Sequence, residues 1–371
     1  MTGVQTLVCQ TSKSRNKFRT PALIFCEDIM IADLERAISI QQQNLRHLLT
    51  RNNVVGVGIG YKETIDGLTN DLAVTVNVVR KLPLAQLAES DKVPRNLDGV
   101  KTDVVETGKF VAGQIPTTAQ AQSTKDRWRP TIPPGVSMGH IEVTAGTFGC
   151  LVRRGSELLI LSNNHVLANV NNAKPGDPII QPGRYDGGTL DDKVATLAGF
   201  VAIDFGGDSA SCKIASTIEK LLNMAAQALG SKHRMLAYQT SPGENLVDAA
   251  LARPVNPSQF VSQILKIGLP KGVAQATLGT SVRKIGRTTD YTQGRITQIN
   301  VTTSVDYNGR TATFVNQLMA TGMSAGGDSG SAVLDDNGNI IGLLYAGSGR
   351  STLINPIQTV LDLLNVEIVT A

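Results

Sequence analysis

The stretch GMSAGGDSGSAVL, residues 322–334, determines which fold this sequence predicts. It holds Ser329 between an aspartate and a glycine, with two more glycines just upstream and an apolar run downstream. Glycines allow the backbone to turn tightly and to bring its N–H groups close to a bound carbonyl. Such a turn can hold a serine hydroxyl beside several amide donors, as acyl transfer from a peptide requires. The stretch therefore predicts a nucleophilic serine; the alternative is a glycine-rich hairpin with a buried serine.

Two upstream segments supply the residue types that a serine nucleophile needs. LILSNNHVLA, residues 159–168, is an apolar strand that ends on small polar residues followed by His165. LVDAALA, residues 246–252, opens an apolar run with Asp248. Histidine, then aspartate, then serine is the chain order of the chymotrypsin architecture. Asp204 also follows an apolar strand, but the Phe-Gly-Gly after it would break a strand, so Asp248 is favoured and Asp204 stays open as the alternative.

This trio resembles the trypsin/chymotrypsin superfamily of serine peptidases over about residues 125 to 371, and most closely its bacterial members and related intracellular proteins. The resemblance implies a mainly β fold, a chymotrypsin-like double antiparallel β-barrel. It implies a serine endopeptidase in which Asp248 fixes the tautomer of His165 and the histidine takes the proton from Ser329. The N–H groups of Gly327 and Ser329 would form the oxyanion hole. Such an enzyme acts on a protein or peptide substrate and needs no metal or organic cofactor.

The segment VRKIGRTT, residues 282–289, resembles the Gly-Arg-Thr-Thr strand of bacterial secreted proteases of this superfamily. In those proteases the arginine pairs with the aspartate before the nucleophile, so the resemblance implies an ion pair between Arg287 and Asp328. A buried carboxylate needs such a partner, because an unpaired buried charge is strongly destabilising. The alternative is that Arg287 is a solvated strand residue.

The resemblance also implies a substrate-binding strand and a pocket. Aligned from the serine, Met323 matches the floor of the primary specificity pocket and Ala346 matches its wall. Leu344, Tyr345 and Ala346 stand where the family has Ser-Trp-Gly, so the serine that normally supports the catalytic aspartate is absent. An uncharged floor argues against a lysine or arginine preference and favours a small or medium apolar side chain before the cleaved bond.

The upstream part of the chain, residues 27–110, predicts a small α+β domain with a pro-, regulatory or assembly role. Apolar residues recur at near-helical intervals over residues 27–51, which predicts an amphipathic helix. The β-branched runs 54–61 and 72–79 predict a hairpin, and residues 100–106 predict a third strand.

Residues 111–130, rich in Thr, Gln, Ala and Pro, predict an interdomain linker that leads into a protease domain over residues 131–371. Within that domain, residues 209–230 carry apolar side chains at helical spacing. They predict a helical insertion at about 207–245. A homo-oligomer could form through this insertion or through the N-terminal domain.

Composition narrows the function further. The net charge is +4 without a block of lysines or arginines, which gives no support for nucleic-acid binding. No apolar stretch of about 18 residues could span a membrane, and the polar start predicts no secretory signal. Val166 stands directly after His165, where many secreted relatives have a disulfide-bonded cysteine. This favours a reducing compartment and predicts a cytoplasmic location.

Two other functions stay open. One is a protease fold whose catalysis is lost or suppressed and which acts as a binding or regulatory protein. The other is an esterase that uses the same triad without peptide turnover.

Overall fold

The structure, a computed structural model, describes residues 21–64, 67–112, 123–206 and 243–370, with side chains from residue 31 onward. The helices are α1 (Pro21–Leu49), α2 (Asn164–Leu167) and α3 (Ile357–Leu364). The strands, in chain order, are β1 (Val54–Thr64), β2 (Gly67–Val78), β3 (Asn96–Leu97), β4 (Val100–Glu106), β5 (Phe110–Val111), β6 (Ser137–His140), β7 (Gly146–Thr147), β8 (Cys150–Arg154), β9 (Glu157–Ser162), β10 (Pro178–Ile180), β11 (Lys193–Phe200), β12 (Glu244–Asn245), β13 (Ala250–Pro254), β14 (Gly272–Val273), β15 (Ser281–Gly286), β16 (Asp290–Tyr307), β17 (Arg310–Thr321), β18 (Ala332–Asp335), β19 (Asn339–Gly347), β20 (Ser351–Pro356) and β21 (Glu367–Ile368).

The smaller of two sheets is antiparallel throughout and, within the described residues, runs in the order β21-β8-β9-β13-β11-β10-β6-β7. In β9 the last four residues of ELLILS are buried, as expected of a strand that faces a core. Ala250 of β13 pairs with Ser162 of β9. Because these strands are antiparallel, the residues just after β9 lie beside the residues just before β13.

The larger sheet runs in the order β12-β17-β20-β19-β18-β15-β16-β1-β2-β4-β3 among the described residues, with β5 and β14 paired beside this path. The two sheets pack through a shared apolar cluster. From the smaller sheet it takes Cys150, Leu159, Leu161 and Leu251, and from the larger sheet Ile285, Leu334 and Leu343. Burying each large apolar side chain contributes about 1.5–3 kcal/mol, so this cluster holds the two halves of the fold in fixed register. The prediction of a mainly β fold is confirmed, with two sheets packed against each other.

The N-terminal hairpin of β1 and β2 belongs to the larger sheet. Gly56 of β1 pairs with Thr303 of β16, and Ile59 pairs with Ile299. A Cβ at Gly60 would lie 2.8 Å from the backbone carbonyl oxygen of Thr297, so this close approach of the strands requires glycine. Helix α1 packs against the hairpin through an apolar cluster that includes Ala37, Leu48, Val57, Val74 and Val76.

Several predicted elements are confirmed: the amphipathic helix is α1, the hairpin is β1 and β2, and the third strand is β4. The division into domains stays a prediction, and the structure adds that strands from both predicted domains share one sheet. Of the helical insertion at about 207–245, residues 207–242 lie outside the described residues, and its end forms β12.

Of the linker predicted at 111–130, residues 113–122 are likewise outside the description. Its first residue was misassigned, because Val111 is the second residue of strand β5. After these residues, the backbone N–H of Trp128 donates to the side-chain oxygen of Gln181. The indole of Trp128 packs against the apolar core of the smaller sheet. None of the helices in the described ranges has the length and apolarity that crossing a membrane requires.

Candidate active site

His165 and Asp248 meet where the smaller sheet brings the end of β9 beside the start of β13. His165 lies in α2, three residues after β9 ends, and Asp248 lies two residues before β13. The imidazole Nδ1 is 2.6 Å from Oδ2 of Asp248, and the backbone N–H of His165 donates to Oδ1 at 3.2 Å. Because a carboxylate accepts, Nδ1 carries the proton and Nε2 keeps a free lone pair.

The carboxylate of Asp248 is fully buried and depends on its hydrogen bonds for stability. Besides both bonds from His165, Oδ2 accepts a third from the Tyr307 hydroxyl at 2.8 Å. The backbone of the aspartate is fixed as well: its N–H donates to Asn355, and its carbonyl accepts from Asn163. Asp248 is therefore held rigidly toward the imidazole.

Asp204, the alternative acid, is exposed and its carboxylate accepts from the backbone N–H of Gly206. No hydrogen bond joins it to His165 among the described residues. The geometry brings Asp248, and not Asp204, to the histidine.

Ser329 lies in the turn that precedes β18, at the edge of the larger sheet. Its loop meets the smaller sheet at three points: the N–H of Thr147 donates to the carbonyl of Ser329 at 2.8 Å, the hydroxyl of Thr147 donates to the carbonyl of Gly327 at 2.9 Å, and Gly330 lies against Ser162. A Cβ at Gly330, where φ is +95°, would be 2.1 Å from Oγ of Ser162, so this contact requires glycine. The serine loop is thus packed onto the end of the strand that leads to His165.

The hydroxyl of Ser329 donates to the carbonyl of Tyr345 at 3.2 Å. Nε2 of His165 is buried and has no hydrogen-bond partner within the described part of the chain. The serine and histidine side chains are therefore not hydrogen bonded to each other in this structure.

Two peptide groups of the serine loop are oriented by side chains behind them. The carbonyl of Gly326 accepts from the Thr288 hydroxyl at 2.7 Å, and the carbonyl of Asp328 accepts from the Ser331 hydroxyl at 2.6 Å. The N–H and C=O of a trans peptide point in opposite directions. The N–H groups that follow, those of Gly327 and Ser329, therefore point away from these anchors, and among the described residues neither donates to a protein acceptor.

The predicted ion pair between Arg287 and Asp328 is wrong. Asp328 is fully buried and its salt-bridge partner is Lys284, whose Nζ lies 3.2 Å from Oδ2. Burial lowers the pKa of Lys284, and the charge of Asp328 acts against that shift. The carboxylate also accepts backbone N–H bonds from Thr288, Thr289 and Ala325 and a hydroxyl bond from Thr289.

Arg287 pairs instead with Asp186, its guanidinium contacting both carboxylate oxygens, and it lies 5.1 Å from the ring centre of Tyr185. The physical reason is the end of strand β15 at Gly286. Lys284 still lies within the strand and faces Asp328. Beyond the strand, the turn directs backbone N–H groups at that carboxylate, while the side chain of Arg287 leaves toward the smaller sheet.

A cavity of about 650 Å³ opens beside Ser329. Leu344 and Ala346 line it, whereas Met323 and Tyr345 are buried and are not part of its lining among the described residues. Side chains alternate along β19, and Tyr345 packs in the apolar cluster of Tyr307 while Leu344 packs in another. Tyr345, and not Leu344, thus faces the side of the sheet on which Asp248 lies.

The other wall of this cavity comes from the N-terminal part of the chain, including Glu106 to Lys109 and Val111. Val111 of β5 pairs antiparallel with Gly347, at the end of β19. The hydroxyl of Ser348 donates to the carbonyl of Thr107, and Arg350 forms a 2.7 Å ion pair with Glu106. Residues 106–111 therefore contact the end of β19 and the residues just after it, beside the cavity.

Sequence reasoning missed Tyr307, Lys284, Asp186 and strand β5. For Lys284 the sequence offered only a second candidate cation three residues before Arg287, because the choice between them depends on where β15 ends. For Tyr307 and β5 we find no signal, because both act through pairings between distant parts of the chain.

Residues 212–370 match the family model described as peptidase family S64, a range that includes Asp248 and Ser329 and begins after His165. The match covers less than half of the chain, so it shows a similarity of residues 212–370 to a peptidase family. No curated protein matches the sequence.

Among solved structures, this chain is similar to Thermobifida fusca protease A at 17% identity, with 65% of this chain and 100% of that chain covered and a TM-score of 0.42. It is similar to Cellulomonas bogoriensis chymotrypsin at 16% identity, with 65% and 100% covered and a TM-score of 0.40. It is also similar to the Nocardiopsis protease NAPase at 14% identity, with 65% and 100% covered and a TM-score of 0.40.

Proposed function

We propose that this protein is a serine endopeptidase that cleaves peptide bonds through a triad of Asp248, His165 and Ser329. The observation that carries the proposal is the 2.6 Å bond between Asp248 and Nδ1 of a histidine whose Nε2 is unpartnered within the described residues. An imidazole held in this tautomer can accept a proton only at Nε2, which is the atom that a general base presents to a serine.

In the proposed reaction the Ser329 hydroxyl turns away from the Tyr345 carbonyl and gives its proton to Nε2 as Oγ attacks the scissile carbonyl carbon. The tetrahedral intermediate collapses when His165 returns this proton to the leaving amine, which leaves an acyl-enzyme. Water then attacks the ester with the same histidine as base, and Ser329 is released. Asp248 keeps its negative charge and stabilises the imidazolium throughout.

The N–H groups of Gly327 and Ser329 would receive the negative charge that develops on the substrate oxygen. Their free state and the anchored carbonyls of Gly326 and Asp328 support this role. Donors that are already oriented cost no reorganisation during the reaction, and one such donor is worth about 10²–10³ in kcat. The buried ion pair of Lys284 and Asp328 stabilises the conformation of the serine loop.

The apolar wall of Leu344 and Ala346 beside the nucleophile supports a small or medium apolar side chain before the cleaved bond. Lys109 and Arg350 stand at the outer part of the same cavity, and Arg350 is already neutralised by Glu106. We therefore propose that the substrate side chain bound nearest to Ser329 is uncharged.

We also propose that residues 106–111 make the N-terminal part an inhibitory cover. Extended peptides bind proteases and other domains by adding a strand to an exposed sheet edge. The pairing of Val111 with Gly347 occupies that edge beside Ser329. A long substrate would have to displace β5, so we expect low activity on proteins in the resting state. This expectation favours the alternative in which catalysis by the protease fold is suppressed, here by the N-terminal part of the same chain.

A fluorophosphonate probe followed by substrate cleavage tests the triad. Covalent labelling of the wild-type protein that is absent from Ser329→Ala, together with cleavage of casein or a peptide library, is the expected result. An unlabelled Ser329 would favour a non-catalytic binding protein. Labelling and ester hydrolysis without any peptide cleavage, even of short peptides, would favour the esterase. Assembly into homo-oligomers and a cytoplasmic location stay predictions.

A further inference from the structure

The carboxylate of Asp248 accepts one hydrogen bond from a residue outside the proposed triad, Tyr307. Oδ1 accepts from the backbone N–H of His165, and Oδ2 accepts from Nδ1–H of the same residue. The second bond to Oδ2 comes from the hydroxyl of Tyr307, 59 residues further along the chain, at 2.8 Å. Without this hydroxyl, the described residues offer Oδ2 a single donor, and the carboxylate could turn about χ2 away from the imidazole.

Tyr307 is held in place from several directions. Its side chain is 4% exposed, and its ring stands edge-on to the imidazole of His165 with 5.7 Å between ring centres. Phe205 meets the same ring at right angles, also at 5.7 Å, and the guanidinium of Arg310 lies 3.8 Å over Phe205. The phenol therefore has little freedom to leave the carboxylate.

The backbone that carries Tyr307 is equally fixed. Tyr307 is the last residue of β16 and pairs with Arg310 across a turn formed by Asn308 and Gly309, both at positive φ (55° and 90°). Such a turn matches the twist of the flanking strands. The two residues before it, Val305 and Asp306, pair with strand β5. The tip of the hairpin is therefore hydrogen bonded on both sides.

The phenol can act as a donor over the whole range in which a serine peptidase works. Burial, and after it the negative charge of Asp248, raises the pKa of Tyr307 well above its ordinary value. Burial, and after it the charge of Asp248, raises the pKa of Tyr345 well above its ordinary value too. Both phenols stay neutral, so neither adds a second negative charge next to the aspartate.

We propose that Tyr307 is a positioning residue of this peptidase, which holds the carboxylate of Asp248 in line with Nδ1–H of His165. This inference rests on the triad proposed above. Tyr307 does not touch the substrate; it acts through the aspartate on the tautomer and orientation of the imidazole. It supplies from the hairpin of β16 and β17 the hydroxyl support that Leu344-Tyr345-Ala346 of β19 lacks.

The test replaces Tyr307 by phenylalanine, which keeps the ring and removes only the hydroxyl. We expect kcat, and the rate of fluorophosphonate labelling, to fall about tenfold to a hundredfold, the effect of losing one hydrogen bond to a charged group, with KM unchanged. In an Asp248→Asn background the same replacement should have no further effect, because the two side chains act as one unit. Tyr291→Phe, the same change at the exposed far end of β16, is the matched control and should leave both rates at the wild-type value.

A readout that needs no activity separates this inference from the triad itself. The Nδ1–H proton of His165 gives a downfield NMR signal, which we expect to shift or broaden in Tyr307→Phe, also when Ser329 is alanine. An unchanged signal, together with a wild-type labelling rate, would overturn the role of Tyr307. Wild-type peptide cleavage by Ser329→Ala would overturn the triad instead. Thermal unfolding of Tyr307→Phe checks that the fold is retained; a Tyr307→Phe effect that persists in full in the Asp248→Asn background would show a merely structural role.

Discussion

Val111 pairs with Gly347 beside the cavity at Ser329, so a strand from the N-terminal part of the chain lies along the strand that lines the cleft. Phe110, its neighbour, is 2% exposed and packs in the same apolar cluster as Tyr345 and Ala346. Under the proposed inhibitory cover, access to the cleft depends on the packing of this single aromatic side chain.

Replacing Phe110 by alanine should open the cleft to long substrates. The change removes about 3–5 kcal/mol of packing and should detach β5 from Gly347. Because β5 also supports the tip that carries Tyr307, the rate with a small ester could fall at the same time. The informative quantity is the ratio of kcat/KM for a long peptide to that for a small ester, and we expect this ratio to rise.

Phe260→Ala is the control for that experiment. Phe260 is also a buried phenylalanine, packed edge-on against Phe148 in the smaller sheet and away from β5. It should lower stability by a similar amount and leave the ratio unchanged. An unaltered ratio in Phe110→Ala would show that residues 106–111 do not restrict access.

The two buried ion pairs near the serine loop should behave as separate units. Lys284→Met leaves the carboxylate of Asp328 buried without its cation and should cost about 3–5 kcal/mol of the free energy of unfolding. Adding Asp328→Asn should recover part of this loss. In the same way, the cost of Arg287→Met should be relieved by Asp186→Asn.

Urea denaturation of the single and double variants measures these couplings. The pairing seen in the structure requires that Arg287 couple more strongly to Asp186 than to Asp328. The reverse order would restore the pairing that the Gly-Arg-Thr-Thr resemblance implied.

Gly327→Ala should disable the proposed oxyanion site. Gly327 has φ of +93°, and a Cβ there would lie 2.5 Å from Oγ1 of Thr288, the hydroxyl that anchors the preceding carbonyl. Either the Thr288 hydroxyl or the loop must then move, and both changes loosen the carbonyl of Gly326 that this hydroxyl anchors. We therefore expect fluorophosphonate labelling to slow by about a hundredfold or more.

Gly176→Ala provides the comparison for backbone strain alone. Gly176 has a similar φ of +97°, but nothing lies within 4 Å of a Cβ at that position. This variant should lose about 1–2 kcal/mol of stability and keep its labelling rate. Equal labelling rates in both alanine variants would mean that the N–H of Gly327 takes no part in catalysis.

The sequence was sufficient to predict many of the strands and the meeting of His165 with Asp248. Each of these two residues borders an apolar strand, and the two strands pair antiparallel. The sequence could not decide which cation meets Asp328. Lys284 and Arg287 are three residues apart, and the choice depends on where β15 ends.

Tyr307 and β5 were beyond sequence reasoning for a different reason. The position of Tyr307 depends on the tip of a hairpin whose first strand alone has 18 residues, and a strand of two residues such as β5 has no periodicity to detect. Both gain their roles from pairings between segments far apart in the chain, and such pairings leave no local pattern.

The pairing of β1 with residues 298–303 of β16 has a practical consequence for anyone who isolates the catalytic part. A fragment that starts at residue 131 would leave this length of β16 with bare backbone donors and acceptors facing water. Unprotected sheet edges recruit strands from other molecules. Such a fragment should precipitate or form mixed oligomers during purification, while the chain that retains the hairpin stays dispersed.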